Sequence, residues 1–213
     1  MGKIGKGILG GVSGKVANVV GANWKGIDYI RAKPLSVRNP RTDLQVNQRT
    51  KFALALRFLQ PNLNFIKVGY KNFSVKKSQF NSAMSYILNN AISGTYPNYL
   101  IDYSLALLSR GSLSGALNPV FDLSTAGQVE FSWDDNSGEG SALATDKVMA
   151  VVYNPLKGES VFITGGALRS DLNQVIQIPN SYSGDELEMF IGFINDAGTQ
   201  LSNSAYIGSG TAL

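Results

Sequence analysis

The sequence contains neither cysteine nor histidine among its 213 residues. Without cysteine the chain cannot form disulfides, thiolate nucleophiles or zinc–thiolate sites. Without histidine it lacks the commonest general base and the commonest transition-metal ligand, which excludes Ser-His-Asp catalysis and most zinc-dependent hydrolysis. No other catalytic constellation is visible in the sequence, so we expect a protein that is not an enzyme and needs no cofactor or metal.

Long apolar runs are also lacking. No stretch approaches the roughly 20 apolar residues that a membrane-spanning helix requires. The first six residues, MGKIGK, have the basic start of a signal peptide, but Gly10, Gly11 and Gly14 interrupt the apolar segment that should follow. We therefore expect no signal peptide and no membrane span, and a protein that is cytoplasmic or assembled into a particle or filament.

Charged residues are scarce, at 16% of the chain, and the two signs are separated along it. Residues 1–110 carry 16 Lys and Arg against 3 Asp and Glu, whereas residues 111–213 carry 3 against 12. The total of +4 therefore conceals halves of +13 and −9. A basic surface attracts phosphates, acidic lipids or an acidic protein surface, so this asymmetry concerns partners rather than fold.

Composition divides the chain into three segments. Residues 1–14 form an arm rich in Gly and Lys, which is either flexible or becomes ordered on a partner. Residues 15–110 are predicted to form a basic α+β domain, and residues 111–213 an acidic β-sandwich domain. The boundary follows the change of charge sign near residue 110.

The basic segment begins with a pattern typical of a hairpin. Residues 15–20 and 24–31 are extended runs separated by Gly21-Ala22-Asn23, which predicts a turn at these three residues. Two further runs, residues 64–70 and 101–108, are predicted to be strands.

Two amphipathic helices are predicted between these runs. Thr42-Asp43-Leu44-Gln45 is a capping-box pattern that opens a helix running to about Leu59, in which Phe52 and Leu56 share the apolar face with Leu59. Apolar residues recur at helical spacing from Phe80 to Ala91, which predicts a second helix. Ser78 before this run and Gly94 after it are the expected start and stop signals.

The acidic segment alternates short β-rich runs with turn sequences. Residues 128–133 alternate polar and apolar side chains, which places Val129, Phe131 and Trp133 on the buried face of a strand. Six or seven such runs within about 95 residues are typical of an antiparallel sandwich. The runs are residues 117–123, 128–133, 148–153, 159–164, 174–178, 187–194 and 204–207. The predicted fold class is an α+β N-terminal region, a hairpin plus two helices, followed by an all-β antiparallel sandwich.

Two local sequences have some features of ligand sites. Around Gly14-Lys15, Leu9 and Val16 stand where a phosphate-binding loop requires Gly and Ser or Thr, so we expect no nucleotide hydrolysis. The loop 134–139 concentrates carboxylate and amide oxygens, which belong to Asp134, Asp135, Asn136 and Glu139. This loop is either a solvated acidic turn or a calcium site.

Short motifs run through most of the chain. They are Gly26, Tyr29-Ile30-Arg31, Gln48-Arg49 with Lys51-Phe52, Gly94-Thr95-Tyr96-Pro97-Asn98, Ile101-Asp102-Tyr103-Ser104, Ser109-Arg110-Gly111 and Phe131-Ser132-Trp133. In these motifs the chain resembles a family of uncharacterised Bacteroidota proteins, a domain of unknown function, over nearly its full length. The resemblance implies a two-part layout and brings no catalytic residues. The acidic half by itself is similar to a fibronectin type III or immunoglobulin-like module.

We expect a structural protein that associates with copies of itself into an ordered assembly such as a filament or a virion layer. A basic face that meets an acidic face is a heterologous contact, which closes into a ring or grows into a fibre. The residues expected to contact a neighbouring copy or a phosphate are Lys3, Lys6, Lys15, Trp24, Lys25, Arg31, Arg49, Lys51 and Arg57.

Two alternatives stay open at this point. The basic region of residues 31–77, with Arg49, Lys51 and Arg57, would suit a nucleic-acid-binding protein, although the sequence has no helix-turn-helix, zinc-finger or RNP motif. The sandwich would also suit a surface adhesive or carbohydrate-binding module that presents Tyr96, Tyr99 and Tyr182 in exposed loops.

Overall fold

The computed structural model describes residues 3–4, 10–24, 26–36, 41–74 and 77–213, with the backbone alone for Lys3, Ile4 and Trp24. The chain divides into an N-terminal unit, Met1–Thr42, and a C-terminal unit, Asp43–Leu213. The longest of the described helices has 17 residues, and none of them has both the length and the apolar character needed to cross a membrane.

The N-terminal unit is an antiparallel sheet with the strand order β1-β2-β3-β4. Its strands are β1 (Lys3–Ile4), β2 (Val12–Val16), β3 (Val19–Trp24) and β4 (Ile27–Ala32). Ala17 has a positive φ of 47° in the turn between β2 and β3, and Gly26 has one of 88° in the turn between β3 and β4. Part of the predicted arm is therefore a strand, while residues 1–2 and 5–9 lie outside the described residues.

The hairpin prediction placed the turn wrongly. Gly21-Ala22-Asn23 lies inside β3, and residues 15–31 contribute to three strands rather than two. Gly21 is required by a close approach of backbones, because a Cβ at this position would overlap the carbonyl oxygen of Val12. A glycine inside a strand often marks such an approach rather than a turn.

The C-terminal unit begins with α1 (Asp43–Leu59), α2 (Leu63–Gly69) and α3 (Gln79–Asn90). Both predicted helices are confirmed, and the hydroxyl of Ser78 accepts a hydrogen bond from the N–H of Asn81 (3.2 Å), which caps α3. In α1 the buried residues are Ala55, Phe58 and Leu59. Phe52, predicted to lie on the apolar face, is instead exposed because the buried stripe of α1 lies farther round the helix.

The two strands predicted in this region are wrong. Residues 64–70 belong mostly to α2, in which Phe65, Ile66 and Gly69 are buried at helical spacing; a short apolar run fits a strand equally well by pattern alone. The chain after Ile101 turns away as a 3₁₀ helix because the carboxylate of Asp102 accepts a hydrogen bond from the N–H of Ser104 (3.1 Å). A short hairpin, β5 (Ile92–Thr95) and β6 (Asn98–Ile101), precedes that turn.

Two antiparallel sheets follow, with the strand orders β10-β9-β12-β13 and β11-β8-β7. Their strands are β7 (Leu117–Asp122), β8 (Gln128–Asp134), β9 (Lys147–Asn154), β10 (Glu159–Leu168), β11 (Asn173–Gln177), β12 (Glu186–Ile194) and β13 (Ala205–Thr211). Each of the seven predicted runs forms one of these strands. The predicted fold class, an α+β region followed by an antiparallel sandwich, is confirmed.

The sheet β10-β9-β12-β13 is covered on both faces, which is why β9 and β12 are buried along almost their whole length. One face packs on the three-stranded sheet, through a core that includes Phe131, Trp133, Val148, Ala150, Val152, Met189 and Ile191. The other face packs on the helices, through a core that includes Phe58, Ile66, Ile87, Met149, Val151, Tyr153 and Phe190. Near-continuous apolar strands are typical of sheets with no solvent-facing side.

This packing divides the chain differently from the predicted boundary at residue 110. The helical segment and the sandwich share the second of these cores, so they form one unit from Asp43 to Leu213. Charge changes sign along the sequence at residue 110, but the apolar contacts continue across that point.

Candidate interaction surfaces

The register of the N-terminal sheet places cations on one face. Lys15 of β2 lies opposite Val20 of β3, which lies opposite Arg31 of β4. Directly opposed residues share a face, and so do residues two apart along a strand, so Tyr29 lies on the same side as Arg31. We call this surface, formed by Lys15, Val20, Tyr29 and Arg31, the basic face; Lys15, Tyr29 and Arg31 are exposed on it.

The opposite side of the same sheet carries exposed apolar side chains, with Asn23 and Asp28 at its far end. Val16 lies opposite Val19, and Val19 lies opposite Ala32, while Ile30 lies opposite Gly21 in the next row. Val16 is 53% exposed and Ile30 is 61% exposed. The unit therefore presents apolar side chains to solvent on the side that carries no Lys15 or Arg31.

The basic charge of the sequence is concentrated in this unit. Residues 1–42 contain eight Lys and Arg against a single acid, Asp28, which gives a net charge of +7 in 42 residues. The carboxylate of Asp28 accepts a hydrogen bond from the side-chain amide of Asn23 (2.8 Å) across β3 and β4. Residues 43–213 together have a net charge of −3.

The predicted site residues do not form one cluster. Lys15 and Arg31 come together on the basic face, whereas Lys6 and Lys25 lie outside the described residues, and only the backbone of Lys3 and Trp24 is described. Arg49, Lys51 and Arg57 belong to α1, in the other unit.

The cations near the helices make contacts inside the C-terminal unit. Arg57 donates to the carbonyl oxygen of Pro155 (3.2 Å), and Lys71 donates to that of Gly198 (3.1 Å). The ammonium of Lys51 lies 4.8 Å from the ring centre of Tyr99. These contacts use carbonyl dipoles and an aromatic ring rather than carboxylates, so they leave the acidic charge of the sandwich in place.

The outer face of the three-stranded sheet carries acidic residues. Asp122 of β7 lies directly opposite Glu130 of β8, which lies opposite Val175 of β11, and Val120 is two residues from Asp122 on the same side. We call this surface, formed by Val120, Asp122, Glu130 and Val175, the acidic face. Like charges directly opposed in a sheet are unfavourable unless a partner neutralises them.

The carboxylates of Asp122 and Glu130 accept hydrogen bonds from neighbouring residues. Hydrogen bonds from the hydroxyl and the N–H of Ser124 lower the pKa of Asp122, which keeps the carboxylate ionised. The amide of Asn173 donates to Glu130 (3.3 Å). Val120 is 56% exposed, so apolar surface lies beside the carboxylates.

The cations of residues 111–213 are used locally. Lys147 pairs with Asp196 (2.7 Å), Arg169 pairs with Asp146 (3.1 Å), and Lys157 pairs with Asp185. These three are the only Lys and Arg that this half of the sequence contains. No Lys or Arg of residues 111–213 is therefore left over for Asp122 and Glu130.

The loop 134–139 uses its oxygens for internal hydrogen bonds. Asp134 accepts from the side-chain amide of Asn118 (2.8 Å), and Asp135 accepts from the N–H of Ser137 (2.9 Å). The side-chain oxygen of Asn136 accepts from the guanidinium of Arg169 (2.7 Å). Within the part of the chain that the structure describes, no three carboxylates converge in a way that could hold a metal ion.

Of the tyrosines predicted to lie in exposed loops, Tyr182 is placed wrongly. It is buried, and its hydroxyl donates to Glu159 (3.3 Å), because the 3₁₀ turn that carries it folds onto the sandwich core. The hydroxyl of Tyr99 donates to Asn47 of α1 (2.6 Å), while Tyr96 is exposed in the β5–β6 hairpin.

Sequence reasoning missed Val20, Asp122 and Glu130 as members of these faces. Their placement depends on strand register, which the two-residue turn at Ala17-Asn18 sets in the N-terminal sheet. The alternation of polar and apolar side chains around Lys15 indicates which side of a strand Lys15 lies on. It does not show which strands pair with that strand until the turns are known.

Comparison with known proteins gives a family without a function. No curated protein matches the sequence. Among solved structures, the fibronectin type III domain of the human collagen alpha-1(XX) chain matches 49% of this chain and 90% of its own length, at 14% identity and a TM-score of 0.34. The profile of one sequence family matches residues 11–208, which is nearly the whole chain. This chain therefore belongs to DUF6266, a family of unknown function.

Proposed function

We propose that this protein is a non-enzymatic structural subunit that associates with copies of itself, the basic face of one copy packing on the acidic face of the next. The observation that carries this proposal is the complementarity of the two sheet faces. One face sets Lys15 and Arg31 on either side of Val20, and the other sets Asp122 beside Glu130. Val120 and Val175 on the acidic face, and Val20 and Tyr29 on the basic face, supply apolar surface.

The geometry of sheets suits such a contact. Neighbouring strands lie about 4.8 Å apart, and two sheets pack face to face about 10 Å apart. Lys15 and Arg31, two strands apart, are thus separated by about 10 Å at their backbones, and their long side chains reach inward to adjacent carboxylates. The charges would set the rate of association and its register, while the burial of apolar side chains would supply most of the strength.

A contact between two different faces is heterologous. Repeated from copy to copy, it closes into a ring or grows into a filament or layer, according to the rotation that it imposes. The Bacteroidota origin that the sequence motifs imply stays a prediction, and so does a role in a virion-type particle.

The first test is the molar mass of the nuclease-treated protein by light scattering, at about 0.05 M and about 0.5 M salt, between which the Debye length falls about threefold. We expect large, uniform species at low salt and smaller ones at high salt. A monomer under both conditions would overturn the proposal.

A charge exchange tests the two faces directly. In one variant Lys15→Glu and Arg31→Glu make the basic face acidic, and in the other Asp122→Lys and Glu130→Lys make the acidic face basic. Each variant alone is expected to lose the larger species that the wild type forms at low salt, whereas an equimolar mixture restores both kinds of contact and forms them again. Lys67→Glu with Lys77→Glu makes the same change of net charge as the Lys15 and Arg31 reversals, on exposed residues outside both faces, and is expected to associate like the wild type.

Nucleic-acid binding is the second candidate, favoured by the combination of Lys15, Arg31 and Tyr29 on one exposed face. Cations that contact phosphates and an aromatic ring that stacks on a base are the usual elements of single-strand binding. Fluorescence anisotropy with labelled single-stranded DNA and RNA would measure it. Replacing Arg49, Lys51 and Arg57 with Glu tests the helical part of the basic region, and binding that survives this change and the Lys15 and Arg31 reversals would exclude both surfaces.

A further inference from the structure

Among the residues that the structure describes, no strand pairs with the outer edge of β4. β4 is the last strand in the order β1-β2-β3-β4, and its six side chains are all exposed. Its pairing with β3 runs without a register shift from Val19–Ala32 to Trp24–Ile27, and none of its residues is proline. A regular edge of this kind is a template for another strand.

The direction of the backbone groups of β4 follows from the ladder. The N–H of Lys33 donates to the carbonyl oxygen of Asn18 (2.7 Å), so these two residues form a hydrogen-bonded pair. Such pairs alternate along an antiparallel ladder, so Arg31 and Tyr29 point their backbone groups toward β3. The N–H and C=O groups of Asp28, Ile30 and Ala32 therefore point outward, away from the sheet.

The edge strands of the two sandwich sheets are interrupted or covered, in contrast to β4. β7 contains Pro119 and a register shift between Leu117 and Val120, and β10 has a register shift between Thr164 and Leu168. The pairing of β13 with β12 shifts beside Met189. At β11, the side chain of Gln174 accepts a hydrogen bond from the N–H of Ala167 in β10 (2.7 Å).

We propose that β4 is an interface at which a second copy of this chain adds its own β4, antiparallel and centred on Ile30. The contact joins two four-stranded sheets into one continuous sheet about a two-fold axis. It differs from the proposed contact between the basic and acidic faces, and neither depends on the other.

The sequence of β4 selects this register. With Ile30 opposite Ile30 of the second copy, Asp28 lies opposite Ala32, and Tyr29 lies opposite Arg31. All three outward-pointing residues then form hydrogen-bonded pairs, and a cation faces an aromatic ring. A shift by one pair in one direction opposes Arg31 to Arg31, and a shift in the other direction leaves Ala32 without a partner within the strand.

The same register makes the two sheets continuous on both sides. Val16, Val19, Ile30 and Ala32 of each copy lie on one side together with Asp28, so the apolar surfaces of the two units join around the paired Asp28 and Ala32. Each unit has a net charge of +7, so the two copies repel each other at low salt. Added salt therefore strengthens pairing through β4, whereas it weakens the contact between the basic and acidic faces.

Cysteine cross-linking in the full chain tests the register, because the natural sequence has no cysteine. In a hydrogen-bonded antiparallel pair the Cα atoms lie about 5.5 Å apart, within the range of about 4.4–6.8 Å that a disulfide spans. Ile30→Cys, oxidised with diamide at about 0.5 M salt, is expected to yield a covalent dimer of twice the chain mass. Val16→Cys, which is 53% exposed but lies on β2, is the matched control and is expected to form no covalent dimer; cross-linking of both variants alike, or of neither, would overturn the proposal.

A second pair of variants separates the backbone from the side chain. Ile30→Pro removes an N–H that points outward and leaves the bonds to β3 in place, whereas Ile30→Ala keeps that N–H. At high salt the molar mass of the Ile30→Pro variant is expected to halve, while the Ile30→Ala variant keeps dimers. If Ile30→Pro stays dimeric while its circular dichroism matches that of the wild type, the edge is not the interface, even where the basic and acidic faces still associate at low salt.

Discussion

Arg169 and Asp146 form an ion pair 3.1 Å apart with both side chains fully excluded from solvent. The guanidinium of Arg169 also donates to the carbonyl oxygens of Ser114 (2.8 Å) and Gly115 (2.9 Å), and it lies 3.8 Å from the ring centre of Phe193. The indole N–H of Trp133 donates to the carbonyl oxygen of Arg169 (2.8 Å). Arg169 thus connects the segment before β7 with β8, with β12 and with the loop that precedes β9.

Removing one partner of this pair is expected to destabilise the protein strongly. Arg169→Met leaves the Asp146 carboxylate buried and uncompensated, and such a change costs about 3–5 kcal/mol of unfolding free energy. The measurement is urea unfolding followed by tryptophan fluorescence. Lys147→Met, which breaks the exposed pair with Asp196, is the control and is expected to cost at most about 1 kcal/mol. Equal losses for the two variants would contradict the structural role of the buried pair.

The double variant Arg169→Met with Asp146→Leu is expected to lose less than the sum of the two single changes. Once both charges are gone, neither is left unpaired in the core, and apolar replacements of buried pairs are often nearly neutral. The carbonyl oxygens of Ser114 and Gly115 would still lose their donor. Strict additivity in a double-mutant cycle would show that the two side chains do not interact.

Glu188 is expected to give the protein a stability that falls as pH rises. Burial raises the pKa of this carboxyl in the folded state, and the nearby Glu186 adds to that effect, while the hydrogen bond from Tyr206 (2.6 Å) opposes it. The folded state therefore holds a proton that the unfolded state has already lost, so unfolding free energy decreases between the ordinary pKa of Glu and the raised one. Glu188→Gln is expected to flatten this part of the profile, measured as unfolding free energy from pH 4 to pH 8.

Asp185 provides the comparison of opposite sign. The bonds from Lys157 and from the amide of Asn154 (2.7 Å) lower the pKa of Asp185, so its contribution is present above the ordinary pKa of Asp and is lost as pH falls through the lowered one. Asp185→Asn is therefore expected to remove a loss of stability on the acid side. If Asp185→Asn changed the unfolding free energy in the same pH range as Glu188→Gln does, the opposite directions of the two pKa shifts would be contradicted.

The boundary between the two compact units is expected to decide which fragments fold. A fragment of residues 111–213 would expose the side of the central sheet that Phe58 and its neighbours cover, including Met149, Val151 and Phe190. Large exposed apolar patches lead to association or aggregation. We expect residues 43–213 to be soluble with a single cooperative unfolding transition, and residues 111–213 to aggregate or bind hydrophobic dyes. A well-folded monomer of 111–213 would instead support the boundary near residue 110.

Gly69 is expected to tolerate no side chain. A Cβ at this position would lie 2.5 Å from the carbonyl oxygen of Leu108, and the carbonyl oxygen of Gly69 accepts a hydrogen bond from Arg110 (2.9 Å). Gly69→Ala must push these backbones apart, which costs about 1–3 kcal/mol as overpacking does elsewhere. Gly115→Ala, where a Cβ meets nothing within 4 Å, is the control in thermal unfolding and is expected to have little effect.

Much of the C-terminal unit can be predicted from sequence because its signals are local. Ser78 caps α3, the alternation around Phe131 and Trp133 places both in the core, and turn residues separate the strands of the sandwich. These features depend on neighbours along the chain, so the sequence pattern is sufficient to read them.

The remaining features depend on contacts between distant residues. Gly21 looks like a turn residue until Val12 is seen to approach it, and Phe65 and Ile66 fit a strand as well as a helix until the sheet beneath them is known. The basic and acidic faces depend on which strands pair, and a one-residue change of register moves every side chain to the other face. The net charges of residues 1–110 and 111–213 predicted a basic and an acidic surface, but not which strands carry them.

The sheet β10-β9-β12-β13, which is covered on both faces, also limits which substitutions this protein can accept. A substitution in β9 or β12 has to be matched by a change in the layer that its side chain faces, because both strands are buried and close-packed protein interiors leave little room for independent adjustment. The N-terminal sheet, the outer strands β7 and β11 and the loops have no such double constraint. We therefore expect relatives of this chain to diversify in those outer parts, so that new binding preferences arise there while the middle layer keeps its sequence.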